Sequence, residues 1–355
     1  GKTLVSLRIA ESVVDGEKGW TALALVPGLS LLDQQMRYFV NNTQWPIGSF
    51  SILAVGSGTR DKRFDEDEDD LEGMDMGPAE MLEPPTTKKE DVLDFLNSKA
   101  TMKLVFSTYQ SSDVVRDAAL EAGVTFDIAV YDEAHNCTKE EGLFSTAVRD
   151  DFPAEKRVFM TATPRKVMPI EGDGEEADEV FTMANAKRFG NISHRLSLTD
   201  ALKIKPAIIV PFEIVVCKID SSQNQIAVEQ LEHAKIVSGT GGRALGGAYA
   251  LKLIAVHTIM QDLGITKAIT FHRYVDWAKD FVSKTNGIPA VGFGGEAFSI
   301  DGSTPTHARQ EIFRQFEAAN EAVLSNCQCL SEGVDAPAVQ MVAFMDAKKS
   351  PIDIV

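Results

Sequence analysis

The sequence predicts an α/β chain built as two consecutive, mainly parallel sheets, each flanked by helices. Three observations predict it. Short β-rich runs alternate with patterns of helical period, the order produced by strand–helix–strand crossovers. The rhythm breaks once, near 191–210, and then restarts. A length of 355 residues is enough for two cores of ordinary size.

In chain order, the first sheet is expected to take its strands from TALALVP (21–27), FSILAVG (50–56), KLVFST (103–108), FDIAVYDE (126–133) and RVFMTAT (157–163). Helical patterns lie between them, notably SLLDQQMRYFVNN and KEDVLDFLNS. These elements define a first domain over 1–190, joined by a connector over 191–210 to a second domain over 211–355. The second domain is expected to hold a long helix around GGAYALKLIAVHTIMQDLG, strands at 267–272, 321–326 and 340–345, and the helix THARQEIFRQFEAAN. The apolar, β-branched run AIIVPFEIVV reads as a buried strand. GTGGRALGG at 239–247 lacks a Lys-Ser/Thr ending and a leading strand, so it reads as a turn before the long helix.

Composition narrows the class. An apolar fraction of 44% and a charged fraction of 25% belong to a globular protein, and no apolar run approaches the ~18 residues of a membrane span. Four cysteines are few. Cys327 and Cys329 form a C-x-C that fits two same-face strand positions better than a zinc site, and Cys137 and Cys217 stand alone. This usage points to a reducing, intracellular setting, cytoplasmic or nuclear. The net charge of −17 opposes nucleic-acid binding, which is driven by neutralising phosphates. Its distribution softens that conclusion. Residues 61–100 hold fourteen acids against five bases, and EGDGEEADE at 171–179 adds six acids and no base. Most of the charge therefore sits in two runs expected to be solvated or disordered surface insertions, the larger over about 61–90.

The chemistry begins where the fourth strand ends in VYDEAHN. An open α/β sheet places its reactive groups at the carboxyl ends of its strands. There Asp132 can hold a nucleotide-bound Mg²⁺, and Glu133 can orient and deprotonate a water. The chain also opens on Gly1-Lys2-Thr3, which reads like the last three residues of a phosphate-binding loop.

Taken together, the ordered motifs resemble a known family, the DEAH-type superfamily 2 helicases and translocases, built on two RecA-like domains of the P-loop NTPase type. GKT looks like the end of motif I, DEAH like motif II and TATP like motif III. VPGLSLLDQQ and STYQSS are similar to the strand-contacting motifs Ia and Ib, ITFHR to motif IV and SEGVDAP to motif V. VFSTYQSS, FMTATPR, FHRYVDWAKDF, CLSEGVDAP and KKSPIDIV look closer still to helicases related to the motors of type I and type III restriction enzymes. In that family the arginine-bearing motif VI follows at once. The sequence is accordingly expected to be a motor core cut inside motif I and before motif VI, weak or inactive as an ATPase by itself.

The resemblance implies ATP and Mg²⁺ as cofactors and assigns roles. Gly1, Lys2 and Thr3 would hold the phosphates, with Thr3 and Asp132 completing the Mg²⁺ shell and Glu133 acting as base. Gly333 and Asp335 would close over the nucleotide from the second domain. His135, Thr161 and Thr163 would couple the nucleotide state to the strand-facing side. Pro27, Ser30, Gln34, Ser107, Thr108, Tyr109, His272, Arg273, Ser325 and Asn326 would line the nucleic-acid path, with Tyr109 either stacking a base or filling the groove. Sequence-blind contacts of this kind suit a moving motor. An ATP-driven DNA translocase or helicase leads. An RNA-dependent ATPase of the same architecture fits the same residues, and a non-hydrolysing binding module is opposed by the intact Asp132 and Glu133. No membrane partner is implied, and nuclease or methyltransferase activity would need domains outside these residues.

Overall fold

The computed structural model describes residues 2–13, 19–46, 48–57, 81–138, 146–164, 183–205, 209–217, 247–327, 330 and 336–346. Gly1, Gly333, Asp335, Cys329, both acidic runs (apart from 81–100), residues 239–246 and KKSPIDIV lie outside them.

The first sheet has five strands, β1 (Trp20–Val26), β2 (Ser51–Val55), β3 (Met102–Thr108), β4 (Phe126–Tyr131) and β5 (Ala154–Phe159). Their order is β2-β3-β1-β4-β5 and every pairing is parallel. Alternation along the strands sends side chains to two cores, because successive residues point to opposite faces. Leu23, Leu25, Val105 and Tyr131 pack under α3 (Lys89–Asn97) and α4 (Ser112–Ala122). Ala22, Val26, Leu104, Phe106 and Val130 pack under α1 (Lys2–Val13) and α2 (Leu29–Asn42). Gly123 ends α4 in the left-handed region (φ +64°), where its lack of a Cβ removes the usual cost.

After the short helices α5 (Ala186–Phe189) and α6 (Leu198–Lys203), the second sheet follows α7 (Gly247–Leu263). Its strands are β6 (Lys267–Phe271), β7 (Glu296–Asp301), β8 (Ala322–Cys327) and β9 (Met341–Phe344), all parallel in the order β7-β8-β6-β9. α7 and α8 (Val275–Phe281) cover one face through Leu253, Met260 and Phe281; α9 (Thr306–Ala318) covers the other through Phe313 and Phe316. Two parallel sheets, each flanked by helices, are the architecture the sequence predicts. Among the described residues no helix is long and apolar enough to cross a membrane.

Three expectations are corrected. AIIVPFEIVV is not a buried strand where it is described. Residues 209–217 pair with no named strand, and Val210, Ile214 and Val216 are mostly exposed, so an apolar run without a neighbouring strand finds no core. The fourth and fifth strands stop at Tyr131 and Phe159, short of the residues that carry the chemistry. Residues 81–90, assigned to the acidic insertion, are seated on the fold. Met81 is buried, Thr86 donates to Ala54 O and accepts at its own carbonyl from Gly56, and α3 begins at Lys89.

Candidate active site

β4 delivers two carboxylates at its carboxyl end, and the turn after it is held on several sides. The Asp132 N–H donates to Leu25 O (2.9 Å), and the Tyr109 hydroxyl donates to Asp132 O (2.6 Å). The Ala134 N–H donates to Met160 O (2.9 Å), which fastens the turn to the residue after β5. Between them Glu133 adopts φ +46°, the only positive φ of a non-glycine residue among those described. Such strain persists only where the surroundings enforce it, and it concentrates at functional sites.

The side chains form one connected cluster. Asp132 is buried; its Oδ1 accepts the Glu133 N–H (3.0 Å) and its Oδ2 accepts from Gln35 Nε2 (2.6 Å). Lys2, at the start of α1, pairs with Glu133 Oε1 and stands 3.9 Å from Asp132 Oδ1. Glu133 Oε2 lies 3.5 Å from His135 Nδ1. The buried His135 has the same nitrogen 2.9 Å from Thr161 Oγ1 and 3.5 Å from Thr163 Oγ1, and the Thr163 N–H donates to Thr161 Oγ1 (3.1 Å). Residues 131 places apart, and a third group after β5, are thus brought to one end of one sheet.

Environment separates the two acids. Burial works to raise the Glu133 carboxyl, but the hydrogen bond from His135 and the Lys2 ammonium outweigh it and hold Glu133 below its ordinary value. Burial dominates at Asp132 and raises it, with Lys2 opposing and the Glu133 charge adding to the rise. Burial is the first cause at both groups; the partners of Glu133 overcome it and those of Asp132 do not.

The donor set fits a Mg²⁺–nucleotide. Mg²⁺ is commonly held by one or two carboxylates together with substrate phosphates, and Asp132 is a fixed carboxylate beside a lysine. Lys2 and Thr3 also occupy the first turn of α1, where the helix dipole favours anions. Among the described residues no group of three or more His, Cys, Asp or Glu side chains could hold a metal ion by itself, so an ion at Asp132 would need ligands from the nucleotide.

The expected strand contacts divide into two groups. Gln34 and Arg273 are exposed and Ser30 is half-buried, so these reach solvent; Pro27 is buried at the end of β1. Ser107, Thr108, Tyr109, His272, Ser325 and Asn326 are buried, so a strand contact there would run through the main chain. The strand ends point these groups inward, and the fold uses the hydroxyls of Ser107, Thr108, Tyr109 and Ser325. Ser107 donates to Thr108 O, Thr108 to Ser111 Oγ and Ser325 to Ala278 O, and the Tyr109 ring fills the core beneath Asp132. Of Tyr109's two expected roles, stacking a base is not available in this arrangement. Conversely, the sequence reading passes over Gln35. Helical phase could have found it: Leu32, Met36 and Phe39 mark the buried face of α2, and Gln35 lies on that face while Gln34 points away.

Comparison with known proteins bears on the fold. Residues 1–166 match the family "Type III restriction enzyme, res subunit", and residues 251–355 match "Helicase conserved C-terminal domain". The chain carries a superfamily 2 helicase core. The core is similar to the "Probable helicase A859L" of African swine fever virus, at 26% identity over 357 residues in isolate Tick/South Africa/Pretoriuskop Pr4/1996 and also in strain Badajoz 1971. The alignment covers 100% of this chain and 35% of that relative, so the helicase core here spans about a third of the curated relatives it matches. Among solved structures, the DNA-bound type ISP restriction-modification enzyme LlaBIII superposes with a TM-score of 0.77 at 23% identity, over 100% of this chain and 24% of that one. The helicase domain of Pyrococcus furiosus Hef superposes at 0.51 with 16% identity, over 100% of this chain and 86% of that one.

Proposed function

We propose that this helicase core is the motor of an ATP-dependent DNA helicase or translocase of the DEAH type, close to restriction-enzyme motors. The observation that supports it most is the cluster of Lys2, Asp132, Glu133, His135, Thr161 and Thr163 at the carboxyl end of the first sheet. When bound, a Mg²⁺–ATP supplies the phosphoanhydride bond and the charge that the site must hold. Asp132 and Thr3 are the residues that would hold its ion, and Lys2 would face its phosphates. In the present arrangement Lys2 engages Glu133. With Lys2 turned to the phosphates, Glu133 would be free to take a proton from water. His135 bridges from Glu133 to Thr161 and Thr163, and so would pass a change at the base to the residues after β5. Gly333 and Asp335 would close the site from the second sheet. The DNA-bound LlaBIII structure, with its similar fold, supports DNA as the track.

The test uses the full-length protein. Glu133→Gln keeps the side-chain size and removes the base, so ATP turnover should fall by at least ~10² while ATP binding persists. Turnover retained in this variant would remove Glu133 from the role of base. Stimulation by DNA but not by RNA of equal length supports the DNA track, and the reverse pattern assigns the motor to RNA.

A further inference from the structure

Gln35 is a buried polar residue to which the reading above gives no role. It is 6% exposed on the inward face of α2, and its Nε2 donates to Asp132 Oδ2 at 2.6 Å across 97 residues of sequence. The other oxygen, Oδ1, accepts the Glu133 N–H and faces Lys2. The two ends of the carboxylate are therefore fixed by different elements, α2 on one side and the strained turn on the other. Gln35 also lines a pocket with Thr3, Ser6 and Leu7 of α1, and so stands between the carboxylate and the start of that helix. A carboxylate with one oxygen tied in this way presents the remaining lone pairs in a single orientation.

We propose that Gln35 is a positioning residue for a divalent ion, holding the Asp132 carboxylate at the angle needed to bind it. The inference rests on the nucleotide-site reading and deepens it. Hydrogen-bond partners of ligating carboxylates act by orientation, and their loss commonly weakens metal affinity by about 10–100-fold. Because α2 begins two residues after Pro27 and carries Ser30 and Gln34, the same bond makes the seat of the ion depend on where that helix sits.

The test is Gln35→Met in the full-length protein. Methionine keeps the length and volume of glutamine and suits the apolar lining of the pocket, yet has no N–H to donate. The probe is a fluorescent mant-ATP whose binding is followed while Mg²⁺ is titrated, and again in EDTA. The expected result is a rise of about 10–100-fold in the Mg²⁺ concentration at half-saturation, with EDTA affinity and melting temperature close to those of the parent. Superimposable Mg²⁺ curves overturn the inference. Equal losses with and without Mg²⁺ overturn it too, since they mean that Gln35 shapes the pocket and not the ion's seat; Gln35→Leu checks that result against the choice of side chain. A parent protein that binds mant-ATP with no dependence on Mg²⁺ overturns the nucleotide-site reading itself.

Discussion

At the scale of single residues, His272 shows how burial sets a pH dependence. It follows β6, stacks near Phe281 (centroids 5.1 Å apart) and has Nε2 3.0 Å from Thr270 Oγ1. Burial pushes its imidazole down from the ordinary 6.5 to about 4, with Asp346 opposing and Lys252 adding to the drop. The unfolded chain takes up a proton as the pH falls through about 6.5, and the folded chain does not do so until about 4. Stability is therefore whole above pH 6.5, declines between 6.5 and 4, and levels off below. At about 1.4 kcal/mol per pH unit this is a loss of roughly 3 kcal/mol. His272→Gln should flatten that part of the profile when urea midpoints are measured at pH 7, 5.5 and 4.5. Parallel profiles for the two proteins would show that His272 is not the titrating group. Glu133 makes the complementary point, since its φ of +46° and its two partners concern the site and not the core.

At the scale of elements, α2 anchors the segment that re-enters the fold at residue 81. Asp33, buried on α2, accepts the Leu82 N–H (2.7 Å) and pairs with Arg37 (2.6 Å), while Met81 joins the core against α2 and β2. Two deletions should therefore differ. Removing 61–79 should leave the melting temperature nearly unchanged, because so much like charge has no place in a core. Removing 81–88 should lower it by more than 5 °C, through the loss of a buried methionine and several backbone hydrogen bonds. Equal effects would mean that the acidic run is itself structural. The contrast also shows what the sequence could reveal. Eight of nine strands were legible because β-branched runs of the right length alternate with helical periods; β7, EAFSID, was missed because it carries few β-branched residues and sits between glycines. Lys2, Asp132, Glu133 and His135, far apart in sequence, lie side by side because a parallel sheet gathers its strand ends on one edge. Motif spacing could not tell which of the motif's polar residues face inward. That depends on where each element meets the core, so the burial of Tyr109, Ser325 and Asn326 is visible only in the fold.

At the scale of the whole molecule, a net charge of −17 must be reconciled with a nucleic-acid track. Among the residues proposed for strand contact only Arg273 carries a positive charge. It is exposed, its N–H donates to Asp346 Oδ2 (3.0 Å), and its guanidinium carbon lies 5.4 Å from the Tyr274 ring centroid. Binding that rests mainly on main-chain N–H groups and hydroxyls releases few counterions, so the affinity of the full-length protein for DNA should fall only shallowly with salt, at a log–log slope of about −1 to −3. The acidic run acts in the opposite direction, repelling phosphates over a distance set by the Debye length, about 10 Å at 0.1 M salt and about 3 Å at 1 M. Replacing the seven acids of 61–70 with Asn and Gln should therefore raise DNA affinity by roughly tenfold at about 50 mM salt, and the gain should shrink toward nothing as salt approaches 1 M. The two measurements separate the causes. A slope steeper than about −5 would show that a cationic surface beyond the proposed contacts carries the binding. A gain that persists at high salt would show that the run acts by occupying space along the DNA path, because screened charge cannot explain it.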